Sequence, residues 1–261
     1  MDSEQFPGDT LIERGPLVRH EPAVRSLVVS RTANPSPGFR RLTFTGVELD
    51  GFSSLGATDH VKVILNGDVR RDFTPRAFRA ADGENPAELD IDFFVHGEGV
   101  AARSAASIVT GDTMTIGGPR GSHLPPKGAR RIVLGADESA LPALARWIEL
   151  IPEGVEILSF VELDNPSDAA YLDPDHVHRA RVVWLEKSEG VLERAIRGVG
   201  PIGDDTFVWI AGEATTLIPI RRYLRRELGL PVAQVEIDGY WKRGESGRDH
   251  HAPVDPTDPD D

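Results

Sequence analysis

RRIVLGADESALPALARWIELI, residues 130–151, decides the fold. RRIVLGA, at 130–136, is a short apolar run of strand length. ALPALARWIELI, at 140–151, reads as a helix. Between them Asp137, Glu138 and Ser139 make a tight passage from strand to helix. The same alternation continues downstream. VEILSFVEL (155–163) and RVVWLEK (181–187) read as strands, VLERAIRGV (191–199) as a helix and TFVWIAGE (206–213) as a strand. TLIPIRRYLRREL (216–228) reads as an amphipathic helix and AQVEIDGYW (233–241) as a last strand. Strands alternating with helices predict a parallel sheet covered on both faces, because parallel neighbours need crossover connections.

Upstream the rhythm differs. VRSLVVSRT (24–32), FRRLTFTG (39–46), HVKVIL (60–65), LDIDFFVH (89–96) and DTMTIGG (112–118) are short runs separated by SPG, NG, DGENP and TGD. Short strands with that punctuation predict an antiparallel barrel or sandwich. GGPRGSHLPPKG, residues 117–128, separates the two rhythms. The expected organisation is a β-barrel domain at 22–127 and an α/β domain at 128–248. Tails at 1–21 and 249–261 are expected to be disordered, the second because HHAPVDPTDPDD is acidic, Pro-rich and lacks core formers.

A chain of 261 residues, 39% of them hydrophobic, can build two such cores. Its formal net charge of −13 argues against nucleic-acid or anionic-membrane binding, since the overall field repels phosphate. Any anion site must therefore be local. The absence of cysteine excludes disulfides, thiolate metal sites and cysteine nucleophiles, so redox chemistry would need an organic cofactor or a non-thiolate metal. MDSEQFPGDTLIERGP lacks the layout of a signal peptide, and no run approaches the roughly 20 apolar residues of a membrane span. A soluble, cytoplasmic monomer without membrane insertion is expected.

RDFTPR, residues 71–76, is the local exception to the acidic balance: Arg70, Arg71, Arg76 and Arg79 fall within ten residues. The strand-to-helix turns at 135–142 and 209–215 and the glycine-bearing VHGEGVAARSA at 95–105 could each present backbone N–H groups to an anion. An ordinary capped helix and a loop with positive-φ glycines are the competing readings. The HVH at 176–178 and HH at 250–251 lack further assigned metal ligands. Arg221, Arg222, Arg225 and Arg226 read as a solvated helix face, with a nucleotide-phosphate or redox-partner contact as the alternative.

Taken in order, RDFTPR resembles the Arg-x-Tyr-Thr-x-Arg signature of the siderophore-interacting protein family, the flavin-dependent ferric-siderophore reductases. DHVKVIL before it, and HGEGVAARSA, GGPRG, ADESALPA, WIAGE and GYWKRG after it, are similar to that family's segments in the same order. The resemblance spans residues 22 to 245. It implies a ferredoxin-reductase-like architecture with FAD on the barrel and NADH or NADPH on the α/β domain. Arg71, Phe73, Thr74, Arg76, His96, Gly97, Gly99, Ala101, Ala102, Tyr240 and Trp241 would hold FAD. Asp137, Glu138, Ser139, Ala140, Leu141, Pro142, Gly212 and Glu213 would hold the nucleotide, with Glu162 and Asp164 favouring NADH over its 2′-phosphorylated form. Lys62, Lys242 and Arg243 would receive the anionic ferric siderophore. The chain departs from the family's pattern at Phe73, where Tyr is usual, and at Val100 and Ser104, near which Pro and a bulky aromatic are common.

The function so implied is passage of electrons from NAD(P)H through FAD to an Fe(III)-siderophore, releasing Fe(II). It requires no acid–base pair or nucleophile from the chain. A non-catalytic iron-chelate binder of the same fold, and a flavin reductase with a different acceptor, are the alternatives.

Overall fold

The computed structural model describes residues 11–65, 69–95, 100–249 and 252–258. His96, Gly97 and Gly99 lie outside the described residues, as do His250, His251 and the side chains of Ala101 and Ala102.

The first half is a seven-stranded antiparallel sheet. Its strands are β2 (Val24–Ala33), β3 (Phe39–Thr45), β4 (Val61–Ile64), β5 (Arg70–Phe73), β6 (Pro75–Arg79), β7 (Glu88–Phe94) and β8 (Thr113–Gly117), in the spatial order β5-β4-β8-β2-β3-β7-β6. Alternation in β2 sends Leu27 and Val29 inward, where they meet Leu42, Phe44, Val61, Val63, Ile91, Phe93 and Ile116 in one core. β5 and β6 are consecutive in the chain yet stand at opposite edges of the sheet. The sheet therefore curls so that its edges meet at Thr74, and RDFTPR is the seam. Helix α1 (Val100–Ser107) follows β7.

The second half is a five-stranded parallel sheet of β10 (Arg131–Ala136), β11 (Glu156–Leu163), β12 (Val182–Glu186), β13 (Thr206–Glu213) and β14 (Val235–Trp241), in the order β12-β11-β10-β13-β14. α2 (Leu141–Leu150), α3 (Pro174–Arg179), α4 (Val191–Arg197) and α5 (Ala214–Arg222) connect them, α5 running on into a π turn at Tyr223–Glu227. Every residue of β13 is buried, as a central parallel strand covered on both faces requires. One core lies on the α2 side, around Leu134, Leu141, Leu144, Trp147 and Trp209; the other lies on the α4–α5 side, around Val133, Val208, Ile210, Leu217 and Leu224. The sheet order reverses between β10 and β13, which places a switch point at their carboxyl ends.

Two expectations are corrected. Residues 11–21 are not a free tail: Ile12 is buried, Glu13 bridges Lys127, and β1 (Leu17–Arg19) pairs antiparallel with β9 (Gly121–His123). Nor is 252–258 free. Val254 and Asp255 are buried, Asp255 pairs with Arg222, and Asp258 pairs with Arg221 and Arg226. Three of the four arginines read as a solvated helix face, Arg221, Arg222 and Arg226, are thus met by acidic residues of the C-terminal segment, and Arg225 donates to the Leu230 carbonyl. Among the described residues no helix is long and apolar enough to cross a membrane.

Candidate functional site

The seam faces the carboxyl edge of the parallel sheet. On β5, Arg71 donates from Nη2 to Ser246 Oγ at 2.8 Å and from Nη1 to the Arg70 carbonyl at 2.8 Å, and it makes no ion pair among the described residues. The loop carrying Ser246 lies so close that a Cβ on Gly247, at φ +75°, would come within 2.8 Å of Arg71 Nη1. Phe73 turns its ring onto Phe93, centroids 4.3 Å apart, so the aromatic without a hydroxyl packs on the barrel core. Thr74 is buried and hydrogen-bonded to Tyr240, whose phenol burial pushes well above its ordinary pKa.

Arg76 departs from its expected role. Its Nη1 and Nη2 donate to Glu149 of α2 at 3.0 and 2.6 Å, and its Nε is buried without a partner. A carboxylate so placed meets the charge that an anionic cofactor would otherwise meet. Glu149 also accepts from His176 Nε2 at 3.2 Å, while His176 Nδ1 stands 2.8 Å from Asp173. Burial pushes the Glu149 carboxyl up, but the hydrogen bonds from His176 and Arg76 outweigh it and hold its pKa at about 2. One turn earlier on α2, the buried Arg146 donates to Ser54 Oγ (2.7 Å), the Pro75 carbonyl (2.6 Å) and the Ser54 carbonyl (2.9 Å). Farther along the seam Tyr171 donates to Asp92 at 2.5 Å, and Arg41 holds the same carboxylate through two bonds.

At the switch point Asp137 is a hub. It accepts from Ser139 N (2.9 Å), Ser139 Oγ (2.5 Å), Glu213 N (3.0 Å) and Trp241 Nε1 (2.8 Å). Gly212 is needed here: at φ +154° a Cβ would sit 2.8 Å from the Asp137 carboxyl carbon. Glu213 caps α5 through Thr216 N at 2.8 Å and accepts from Arg243 N at 3.0 Å. Trp241 is thus tied to Asp137 at the carboxyl edge of the parallel sheet; the sequence reading expects it beside the flavin. Ala140, Leu141 and Pro142 are buried at the start of α2, so their side chains serve the core.

Beyond Asp137 the edge is acidic. Glu138 is buried and accepts from the backbone N of Asp164, and burial raises its pKa. Glu162 is pushed up to about 7 by burial, opposed by Lys187 and reinforced by Asp137, Glu138 and Asp164. Lys187 stands 3.6 Å from Glu138 and from Asp164, and 5.8 Å from the Trp241 ring.

The expected siderophore patch is less basic than its sequence. Lys62 is held by Asp72 at 2.8 and 2.9 Å and Lys242 stands 3.8 Å from Glu245, leaving Arg243 exposed. Among the described residues no group of three His, Asp or Glu side chains could hold a metal.

Sequence reasoning missed Arg146, Glu149, His176, Tyr171 and Lys187. The first two carried a usable signal: charged residues at i and i+3 on one face of an otherwise apolar helix have to find polar partners.

Residues 28–70 and 66–123 match the family model described as siderophore-interacting FAD-binding domain, and residues 129–244 match the one described as siderophore-interacting protein. This chain belongs to the siderophore-interacting protein family. It is 30% identical, over 249 residues, to the NADPH-dependent ferric-chelate reductase of Escherichia coli, covering 86% of this chain and 95% of that one. It is also 30% identical to the ferric vibriobactin reductase of Vibrio cholerae, over 83% of this chain and 88% of that one. The crystal structure of a siderophore utilization protein from T. fusca superposes with a TM-score of 0.81 at 32% identity, covering 92% of this chain and all of that one. The barrel followed by a parallel-sheet domain is thus the family's architecture.

Proposed function

We propose that this protein is a flavin-dependent NAD(P)H oxidoreductase that reduces a ferric siderophore, so that iron leaves as Fe(II). The observation that carries the reading is the seam: in a chain of net charge −13, Arg71, three residues before the buried Thr74, makes no ion pair among the described residues. A guanidinium so left over fits an anionic cofactor and suits its pyrophosphate. When bound, FAD supplies the conversion of a two-electron hydride into single-electron transfers, which Fe(III) requires.

The chain's own part is to bind and orient. Arg71 would meet the pyrophosphate and Thr74 the flavin ring system, with Tyr240 fixing the Thr74 hydroxyl and Phe73, packed on Phe93, supporting the seam beside them. Asp137, Ser139, Gly212 and Glu213, joined at the switch point with Trp241 beside them, would hold the nucleotide. Glu162 and Asp164 end β11 where the adenosine ribose is read, and Lys187 is already engaged by Glu138 and Asp164. This supports NADH over NADPH. The ferric siderophore approaches past Lys62, Lys242 and Arg243, and reduction takes place in the cytoplasm, where the nucleotide is kept reduced.

The test is an anaerobic assay of protein reconstituted with FAD, using NADH or NADPH, a ferric siderophore and an Fe(II) trap. Flavin absorbance bands and trapped Fe(II) are expected. Protein that takes up no FAD would be a carrier, and one that is bleached by nucleotide yet reduces no ferric siderophore would be a reductase of another acceptor.

A further inference from the structure

Helix α2 runs from one cofactor region to the other. It starts directly after Asp137–Ser139 at the switch point, and its Arg146 and Glu149 grip the seam on the C-terminal side of Thr74. At 1.5 Å per residue the span from Leu141 to Glu149 is about 12 Å, a rigid strut between the two places. The grip is directional. Arg146 places three bonds on Ser54 and the Pro75 carbonyl, and Glu149 takes Arg76 through a two-point contact that His176 supports from α3. Stability alone gives little reason for burying a guanidinium and a carboxylate here, because well-packed apolar residues commonly do as well. Geometry gives one: hydride transfer demands a near-attack arrangement, and a misplacement of about 1 Å can cost on the order of 10²-fold in rate.

We propose that Arg146 and Glu149 are positioning residues for hydride transfer: by locking α2 to the Pro75–Arg76 end of the seam they set the nicotinamide against the flavin. Neither needs to touch cofactor or substrate. The inference rests on the flavin and nucleotide sites proposed above, and it divides the reaction into two halves of unequal sensitivity. The reductive half, from nicotinamide to flavin, crosses the domain boundary that α2 spans. The oxidative half, from flavin to iron, involves no nicotinamide and so does not depend on how α2 presents one.

The two halves are measured separately on FAD-loaded protein by anaerobic rapid mixing. Flavin bleaching by saturating NADH reports the first. Reoxidation of dithionite-reduced protein by a ferric siderophore reports the second. In Arg146→Met and in the milder Glu149→Gln, bleaching is expected to slow roughly 10- to 100-fold, in line with that geometric penalty. Reoxidation and FAD content are expected to stay within about twofold, and the Kd for NADH within about threefold. The long-wavelength charge-transfer absorbance of nicotinamide stacked on flavin is expected to weaken in both variants. A loss of thermal stability alone moves none of these ratios. Equal slowing of both halves, unchanged bleaching in both variants, or an undiminished charge-transfer band would overturn the proposal. A wild-type protein that binds no FAD, or whose flavin NADH and NADPH both fail to bleach, would instead sink the functional reading and this inference with it.

Discussion

Arg71→Ala separates a cofactor clamp from a structural arginine. In the fold, Arg71 makes one side-chain bond, to Ser246 Oγ, and one to its neighbour's carbonyl, both at exposed positions. Losing such a bond costs about 0.5–1.5 kcal/mol. For a chain of this length that is a Tm change of roughly 1–6 °C. Against a bound pyrophosphate the same guanidinium makes charge-assisted bonds whose removal costs about 1.5–3 kcal/mol. That corresponds to a Kd for FAD raised roughly 10- to 150-fold. Fluorescence titration of apo-protein with FAD reads the second quantity, and thermal melts of the apo-protein read the first. Ser246→Ala is the control, because it removes the internal bond and keeps the charge; its Kd should stay within about threefold, less than the cost of an average hydrogen bond. If Arg71→Ala leaves the Kd within twofold, or lowers the melting temperature of apo-protein far beyond the stated range, the seam does not bind the anion.

Three other outcomes follow from the same geometry. Glu162→Gln should lower the Kd for NADPH by roughly 5- to 30-fold and leave that for NADH nearly unchanged, since like unit charges separated by about 10 Å repel by about 1–2 kcal/mol at an effective dielectric of about 20. With a Glu162 pKa of about 7, among Asp137, Glu138, Asp164 and Lys187, the wild-type discrimination against NADPH should grow as pH rises through neutrality, and binding titrations at several pH values would show the Gln variant without that growth. His176→Gln should lower the melting temperature more at pH 6 than at pH 9: the hydrogen bond to Glu149 raises the His176 pKa above 6.5, so its contribution is full below 6.5 and fades as pH passes the folded value. A chain ending at residue 251 should melt at lower temperature by calorimetry, because burial of Val254 contributes about 1.5 kcal/mol, or roughly 3–6 °C, before the Asp255 and Asp258 pairs are counted.

The parallel half was legible because its signal is local. A strand such as β13, buried on both faces, has to be an apolar run, and each such run here ends in the turn that forms the ligand edge. The antiparallel half showed itself through short alternating runs and their turns. What escaped was non-local. Nothing in the composition of residues 11–19 announces a backbone ladder with Gly121–His123, and a stretch rich in Asp and Pro gives no sign that Asp255 and Asp258 will find three arginines more than 30 residues earlier. The site divides the same way. Asp137, Ser139, Gly212 and Glu213 converge because strand ends in a parallel sheet must. The partner of Arg76 lies 73 residues away on a helix whose other faces are apolar.

The seam also explains why two arginines of one short motif come to serve different ends. β5 and β6 pair with different strands, β4 and β7, so the chain crosses from one edge of the curled sheet to the other within Phe73–Pro75. Side chains before Thr74 belong to one edge and those after it to the other. Arg71 consequently meets the loop after β14, where its bond to Ser246 can be exchanged for a ligand, whereas Arg76 meets α2, where Glu149 occupies both of its terminal nitrogens. Thr74, at the crossing, is held by Tyr240 from β14. A cofactor bound at this point would lie where residues of both domains meet, and the angle between the domains would set how the nucleotide is presented to it. Losses at position 71 should appear in FAD affinity, and losses around position 76 in the rate at which reduced nucleotide bleaches the flavin.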